Sequence, residues 1–145
     1  MNELRIQLVD WNIAREILLS IRFEVFVDEQ GVPPEMEEDA DDPQGFHLLA
    51  TLPDSGPAGT ARLLANGHIG RLAVRKPFRG RGIGSTLLKT LIRKAQQSGI
   101  STLFLNAQCD AEPFYQKQGF ISEGQVFQEA GIPHRRMYLH LGARR

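Results

Sequence analysis

Arg79-Gly80-Arg81-Gly82-Ile83-Gly84 joins an apolar strand-like run, Ile69 to Val74, to a strongly amphipathic helix-like run, Ser85 to Ser98. Few joints restrict a chain more. A strand that turns through glycines into a helix leads on to another strand, here read at Thr102 to Ala107, and the crossover is expected to be parallel and right-handed. With no side chain at Gly80, Gly82 and Gly84, an anion can approach the backbone N–H groups. The unsatisfied first turn of the helix adds partial positive charge at the same place, so the expected ligand is phosphorylated.

Spacing narrows which phosphate. A dinucleotide fingerprint would need glycine where Ser85 stands and an acidic residue where Asn106 ends the next strand. A Walker loop would need Gly-Lys-Ser/Thr, which the chain lacks. What remains is Arg-x-x-Gly-x-Gly, read from Arg79 to Gly84.

Around this joint, Arg5 to Val9 alternates as a strand, and Asn12 is read as the cap of a helix with Ile13, Ile17, Leu18, Ile21 and Val25 on one face, ending near Phe26. Asp28 to Pro43, with three prolines and a run of acids, reads as a loop. Gly45 to Leu52 and Ala58 to Leu64 read as strands, and Asn66-Gly67 as the hairpin turn into Ile69 to Val74. In the next helix Leu87, Leu88, Leu91, Ile92 and Ala95 share a face opposite Lys89 and Arg93, and Gly99 ends it. Pro113 opens a short helix over Phe114 to Gln118, and Phe120 to Phe127 and Arg135 to Leu141 read as two closing antiparallel strands. No repeat or linker divides the chain, so residues 1–145 read as one domain.

At 145 residues and 41% hydrophobic content the chain can bury a core of its own. A single cysteine, Cys109, excludes an internal disulfide and a cysteine-based zinc site; no metal is implied. The start lacks a signal peptide's apolar core and no run reaches membrane-spanning length, so the expected compartment is the cytoplasm, with no membrane partner. A net charge of zero offers no basic footprint for nucleic acid. The charge is segregated, however. Between Arg22 and Arg62 every charged residue is acidic, and between Asp54 and Asp110 every one is basic. The first segment suits a cationic ligand and the second an anionic one, although most of the acids are expected to be solvated and to pair with the basic run.

The loop from Arg79 to Gly84 resembles the pyrophosphate loop of the GNAT superfamily of acyl-CoA-dependent N-acetyltransferases. Ala111-Glu112-Pro113-Phe114-Tyr115-Gln116-Lys117-Gln118-Gly119-Phe120 is similar to that superfamily's A-x-x-x-Y-x-x-x-G-F signature. The stretches Arg22 to Pro33 and Glu129 to His134 look like its small bacterial ElaA-like branch. The resemblance covers nearly the whole chain. It implies an α/β domain of the α+β kind, with a mixed, mostly antiparallel sheet and a central β-α-β coenzyme-binding crossover.

It further implies direct transfer of acetyl from acetyl-CoA to a primary amine on a small molecule or peptide. Leu72, Ala73 and Val74 would contact the pantetheine arm through their backbone, and Arg79, Gly80, Arg81, Gly82, Ile83 and Gly84 would hold the pyrophosphate. Tyr115 matches the tyrosine beside the coenzyme sulfur. A phenol of ordinary pKa about 10 can protonate a departing thiolate whose conjugate acid lies near 8.5. Many members carry asparagine where this chain has Gln108, so both Asn106 and Gln108 are candidates for the coenzyme. An alkyl ammonium must lose a proton before it attacks, and Glu29, His47, Glu129 and His134 are candidate bases. Direct transfer needs no nucleophile from Cys109. A non-catalytic acyl-CoA-binding sensor and an acyl-homoserine-lactone synthase are the competing readings, and a homodimer is left open.

Overall fold

The computed structural model describes residues 3–142, so the domain read over 1–145 is seen without its first two and last three residues. The chain runs β1 (Arg5–Val9), α1 (Trp11–Arg22), β2 (Phe46–Leu52), β3 (Gly56–Leu63), β4 (Ile69–Val74), α2 (Ile83–Gln97), β5 (Thr102–Gln108), α3 (Glu112–Gln116), β6 (Ile121–Glu129) and β7 (Ile132–His140). β1 to β4 form a four-stranded antiparallel sheet in chain order, and β5, β7 and β6 form a second, with β7 in the middle. The two meet at a single parallel bridge, His68 to Phe104. The crossover β4-α2-β5 therefore exists with the expected direction, but its strands pair only where they begin.

Gly67 makes that join. Its φ is +95°, and a Cβ there would lie 2.3 Å from the Thr102 carbonyl. Its own carbonyl accepts the Phe104 N–H at 3.0 Å. The hairpin glycine thus serves the β3–β4 turn and the contact between sheets together.

The first sheet lies between two helices. Leu48 and Ala50 face α2, whose Leu87, Leu88 and Leu91 are fully buried, while the alternate Leu49 packs with α1. Burying each leucine contributes about 1.5–3 kcal/mol, which outweighs the weak intrinsic preference of either helix. α2 closes in a Schellman turn: Ile100 N–H reaches the Ala95 carbonyl at 3.0 Å, Gly99 N–H reaches Gln96 at 3.2 Å, and Gly99 sits at φ +78°.

α1 corrects the sequence reading. Asp10, not Asn12, caps it, its carboxylate accepting the Asn12 N–H at 2.8 Å. Ile13 and Ile17 are 87% and 44% exposed, and the buried face is Trp11, Ala14, Leu18, Ile21 and Val25. Trp11 decides the face: it stacks on His47 at 4.9 Å and lies under the Arg22 guanidinium at 5.4 Å, which rotates the isoleucines outward. Beyond Arg22 the helix loosens into a π-helical stretch, Phe23–Glu29. No helix among the described residues is long and apolar enough to cross a membrane.

Candidate active site

Two cavities open along the cleft between the sheets. One, of about 600 Å³, is lined by Leu72, Ala73, Val74, Arg79, Gly80, Gly82, Ile83 and Gly84, with Phe114, Lys117 and Gln118 on the far side. The other, of about 420 Å³, lies under the acidic loop and includes Gln30, Arg62, His68, Arg71, Asn106, Gln108, Glu129 and His134. Leu72, Ala111 and Tyr115 border both.

The loop cavity is built from backbone. Gly80 and Gly82 hold φ of +80° and +78° with open space where a Cβ would stand, so their requirement is conformational rather than steric. Gly82 caps α2 without a side-chain hydrogen bond, and the first turn carries no acid, which leaves the helix N-terminus free for an anion. Gly84 is different. It lies in the first turn of α2 beside the Phe114 ring, where a Cβ would stand in ordinary contact at 3.5 Å, so neither space nor conformation demands glycine here. Arg81 packs its guanidinium over Phe78 at 5.7 Å. Arg79 folds back: Nε donates to the Val74 carbonyl at 2.8 Å, and the two Nη groups grip Glu29 at 2.6 and 2.7 Å.

That pair relocates Glu29. A candidate base in the sequence, it stands against the glycine loop, and hydrogen bonds from Arg79 hold its carboxyl below the ordinary range. Its neighbour Gln30 accepts from Gln108 at 2.7 Å. Two consecutive residues at the end of the π-helical stretch thus touch the loop after β4 and the end of β5.

Tyr115 packs edge-on against Phe114 and Phe120, at 5.0 and 6.0 Å between ring centres. Burial alone pushes its phenol up to about 12. The residue borders both cavities, and no charged neighbour acts on its phenol.

The second cavity is built from side chains. Asn106 and Gln108, expected on the coenzyme, line this cavity and not the loop cavity. Asn106 accepts from Arg136 at 2.7 Å and donates to Glu129 at 3.4 Å. His134 is buried, stacked on Phe127 at 6.0 Å, with Nδ1 2.6 Å from the Ile132 carbonyl. A carbonyl can only accept, so Nδ1 carries the hydrogen and Nε2 keeps a lone pair in the neutral ring. His47 lies elsewhere, beneath Trp11 with Nε2 2.8 Å from the Asp42 carbonyl; burial pushes its pKa down, and its work is structural. Cys109 is a free thiol whose pKa is pushed up by desolvation and by Glu112, which suits no nucleophilic role.

Most of the acids are exposed, as expected, but Glu37 and Asp42 are exceptions. Glu37 and Asp42 are 2% and 0% exposed and clamp Arg22, itself 0% exposed, with Nε to Glu37 at 2.7 Å and both Nη groups to Asp42 at 3.0 Å. Burial pushes the Glu37 carboxyl up. Burial acts on Asp42 in the same sense, but hydrogen bonds from Arg22, the Asp39 N–H and Arg62 outweigh it and hold that carboxyl below its ordinary range. The acids pair with arginines as expected, at the surface for Glu29 and Glu38 and inside the protein for Glu37 and Asp42.

Three contributors escaped the sequence reading. Arg62 and Arg71 join the network through Asp39, at 2.8 and 3.1 Å. Arg71 occupies φ +54° where β3 and β4 slip register between Thr60 and Arg62, so that two residues of β4 oppose one of β3. That conformation costs a non-glycine residue about 1–2 kcal/mol. Gly70, an isolated glycine inside the β4 run beside Arg71, is the one local sign of this bulge. His68 is the third. It stacks on Phe104 at 4.8 Å, and burial pushes its pKa down; its place directly after Asn66-Gly67 was the available signal.

Comparison with known proteins agrees with this geometry. The acetyltransferase (GNAT) domain model matches residues 11–141. The uncharacterized N-acetyltransferase YjcF of Bacillus subtilis is 38% identical over 121 residues, covering 81% of this chain and 86% of that one. Escherichia coli ElaA is 36% identical over 126 residues, 81% of each chain. Its crystal structure superposes with a TM-score of 0.80 at 31% identity, covering 95% of this chain and 99% of that one. An acyl-CoA N-acyltransferase from Pseudomonas aeruginosa gives 0.79 at 28% identity, over 95% and 99% of the two chains. With the glycine loop, the tyrosine and the split sheet all in place, this chain belongs to the GNAT acetyltransferase family.

Proposed function

We propose that the protein transfers an acetyl group from acetyl-CoA directly to a primary amine, with the coenzyme in the loop cavity and the amine in the other. The observation that carries this reading is the meeting of the two cavities at Leu72, Ala111 and Tyr115. A thioester carbon placed there is reachable from both sides, so transfer needs no covalent intermediate on the protein.

The pyrophosphate would lie on the N–H groups of the glycine loop and α2, and the pantetheine amides would run along Leu72 to Val74. A backbone N–H of this strand can polarise the thioester carbonyl. Arg79 reaches the phosphates by exchanging Glu29 for them, so Glu29 acts on coenzyme binding and not on the amine. Glu129 and His134 line the acceptor cavity, and His134 Nε2 is the proton acceptor we favour. The amine nitrogen forms a bond to the acyl carbon as the carbon–sulfur bond breaks. One amine proton leaves to His134, and Tyr115 gives its phenol proton to the thiolate. Burial weakens Tyr115 as an acid, but the same dry surroundings disfavour the thiolate, so the two shifts offset.

Tyr115→Phe tests the assignment. Turnover at saturating acetyl-CoA, followed by thiol release, should fall about 100-fold while the acetyl-CoA KM stays near its original value. Unchanged turnover would remove the acid role.

A further inference from the structure

The charge of the acidic segment and the chemistry of the cavity wall point in opposite directions. By composition, residues 28–54 suit a cation. In the folded protein Glu37, Asp39 and Asp42 are engaged by arginines, and the exposed Asp41 is the cavity-side carboxylate of this segment that is not. Glu37 receives Arg22 Nε, Asp42 receives Arg22 and Arg62, and Asp39 receives Arg62 on one oxygen and Arg71 on the other. Three guanidinium groups against three carboxylates leave the network neutral.

Hydrogen bonding does not balance in the same way. Nε of Arg62 and Nε of Arg71 have no hydrogen-bond acceptor; Glu37 lies within 3.1 Å of Arg71 Nε but out of line for a bond. Arg62 is 3% exposed, and both arginines line the acceptor cavity. Arg71 immediately precedes Leu72, one of the residues at the border with the coenzyme cavity. Burial lowers the pKa of Arg71, a sign that water solvates this guanidinium poorly. The two Nε atoms are themselves sealed from solvent, and Arg71, with its side chain 25% exposed, is the arginine of the pair that a ligand in this cavity can reach.

We propose that the amine acetylated here also carries an oxyanion, a carboxylate or a phosphate, a few bonds from its nitrogen, and that Arg71 with Arg62 behind it binds that group. The inference rests on the acetyltransferase reading above. A planar guanidinium matches either oxyanion in a two-point contact. A cavity of about 420 Å³ suits a small metabolite. Glu129, on the opposite side at the β6–β7 turn, is left to meet the ammonium end.

Matched acceptors test this by thiol release from acetyl-CoA: glycine against methylamine, β-alanine against ethylamine, phosphoethanolamine against ethanolamine, with putrescine as the dication. The oxyanion-bearing member of at least one pair should show kcat/KM roughly ten-fold or more above its partner. The pairs separate carboxylate from phosphate and report the spacing. Arg71→Gln should collapse that ratio towards one, mainly through KM, and Arg71→Lys should restore part of it. Preference for the plain amines or putrescine would overturn the proposal, as would an equal loss on both members of a pair. The wild-type ratios decide alone if Arg71→Gln does not fold. Acetyl-CoA binding by calorimetry without transfer to any amine would overturn the acetyltransferase reading and this proposal with it; transfer with the opposite preference would overturn this proposal alone.

Discussion

The cavity at the glycine loop and the cavity under the acidic loop share three residues and little else in how they are made. The first comes almost wholly from one stretch, Leu72 to Ser85, completed by α3 and its flanks. Its working parts are N–H groups, so what the sequence must supply is conformation, namely glycine where φ is positive. The second gathers side chains from the π-helical stretch, the acidic loop, β3, β4, β5 and the β6–β7 hairpin. Its working parts are charges held by other charges. A site made of backbone stays local, whereas a site made of paired side chains depends on residues far from the ligand.

If this contrast is right, the largest effect comes from a residue that touches neither cavity. Arg22→Met leaves Glu37 and Asp42 as buried carboxylates without their shared partner, and should cost about 3–5 kcal/mol of stability. Chemical denaturation at neutral pH measures it. The molecules that stay folded should lose acceptor turnover and keep acetyl-CoA binding; loss of both in parallel would break the contrast.

Gly82→Ala attacks the other side. The new methyl meets open space, so the cost is the positive φ, about 1–2 kcal/mol. Acetyl-CoA affinity by calorimetry should fall roughly ten-fold or more as the N–H groups at the α2 terminus shift, with the acceptor KM unchanged.

Glu29→Gln removes an exposed ion pair worth about 0–1 kcal/mol at most, so the melting temperature should hardly move. By releasing Arg79 it should tighten acetyl-CoA binding a few-fold, whereas lowered turnover with unchanged acetyl-CoA binding would return Glu29 to the acceptor side. The smallest change is none at all. Because the Tyr115 phenol is pushed up to about 12, its protonated form persists as pH rises past the ordinary phenol value. At saturating substrates kcat should therefore show no downward break near pH 10, the value expected of an unburied tyrosine.

How far the sequence could be read follows the same division. The glycine loop, the A-x-x-x-Y-x-x-x-G-F stretch and the Asn66-Gly67 turn are short windows in which neighbours in sequence are neighbours in space, and all three lie where they were expected. Helix boundaries moved by a turn or less. Periodicity failed at α1, where the isoleucines and the tryptophan propose different faces and only the fit of Trp11 against His47 and Arg22 chooses between them. Charge patterning recognised that acids and arginines would pair, but it could not see Glu37 and Asp42 inside the protein. Burial there is a property of Arg22, fifteen and twenty residues away. Nor could spacing place Glu29 against Arg79, fifty residues on.

The single bridge between the sheets has one more consequence. β4 gives one edge to β3 and β5 gives one edge to β7; past His68 and Phe104, their remaining edges face each other without a ladder. Unpaired edges of that kind elsewhere invite a neighbouring chain, and β proteins suppress them with charges, bulges or a covering helix. This fold instead turns the two edges toward each other across a cleft. What can settle between them is a thin extended molecule carrying amides of its own. The surface most hazardous to a sheet protein thereby becomes its most selective one.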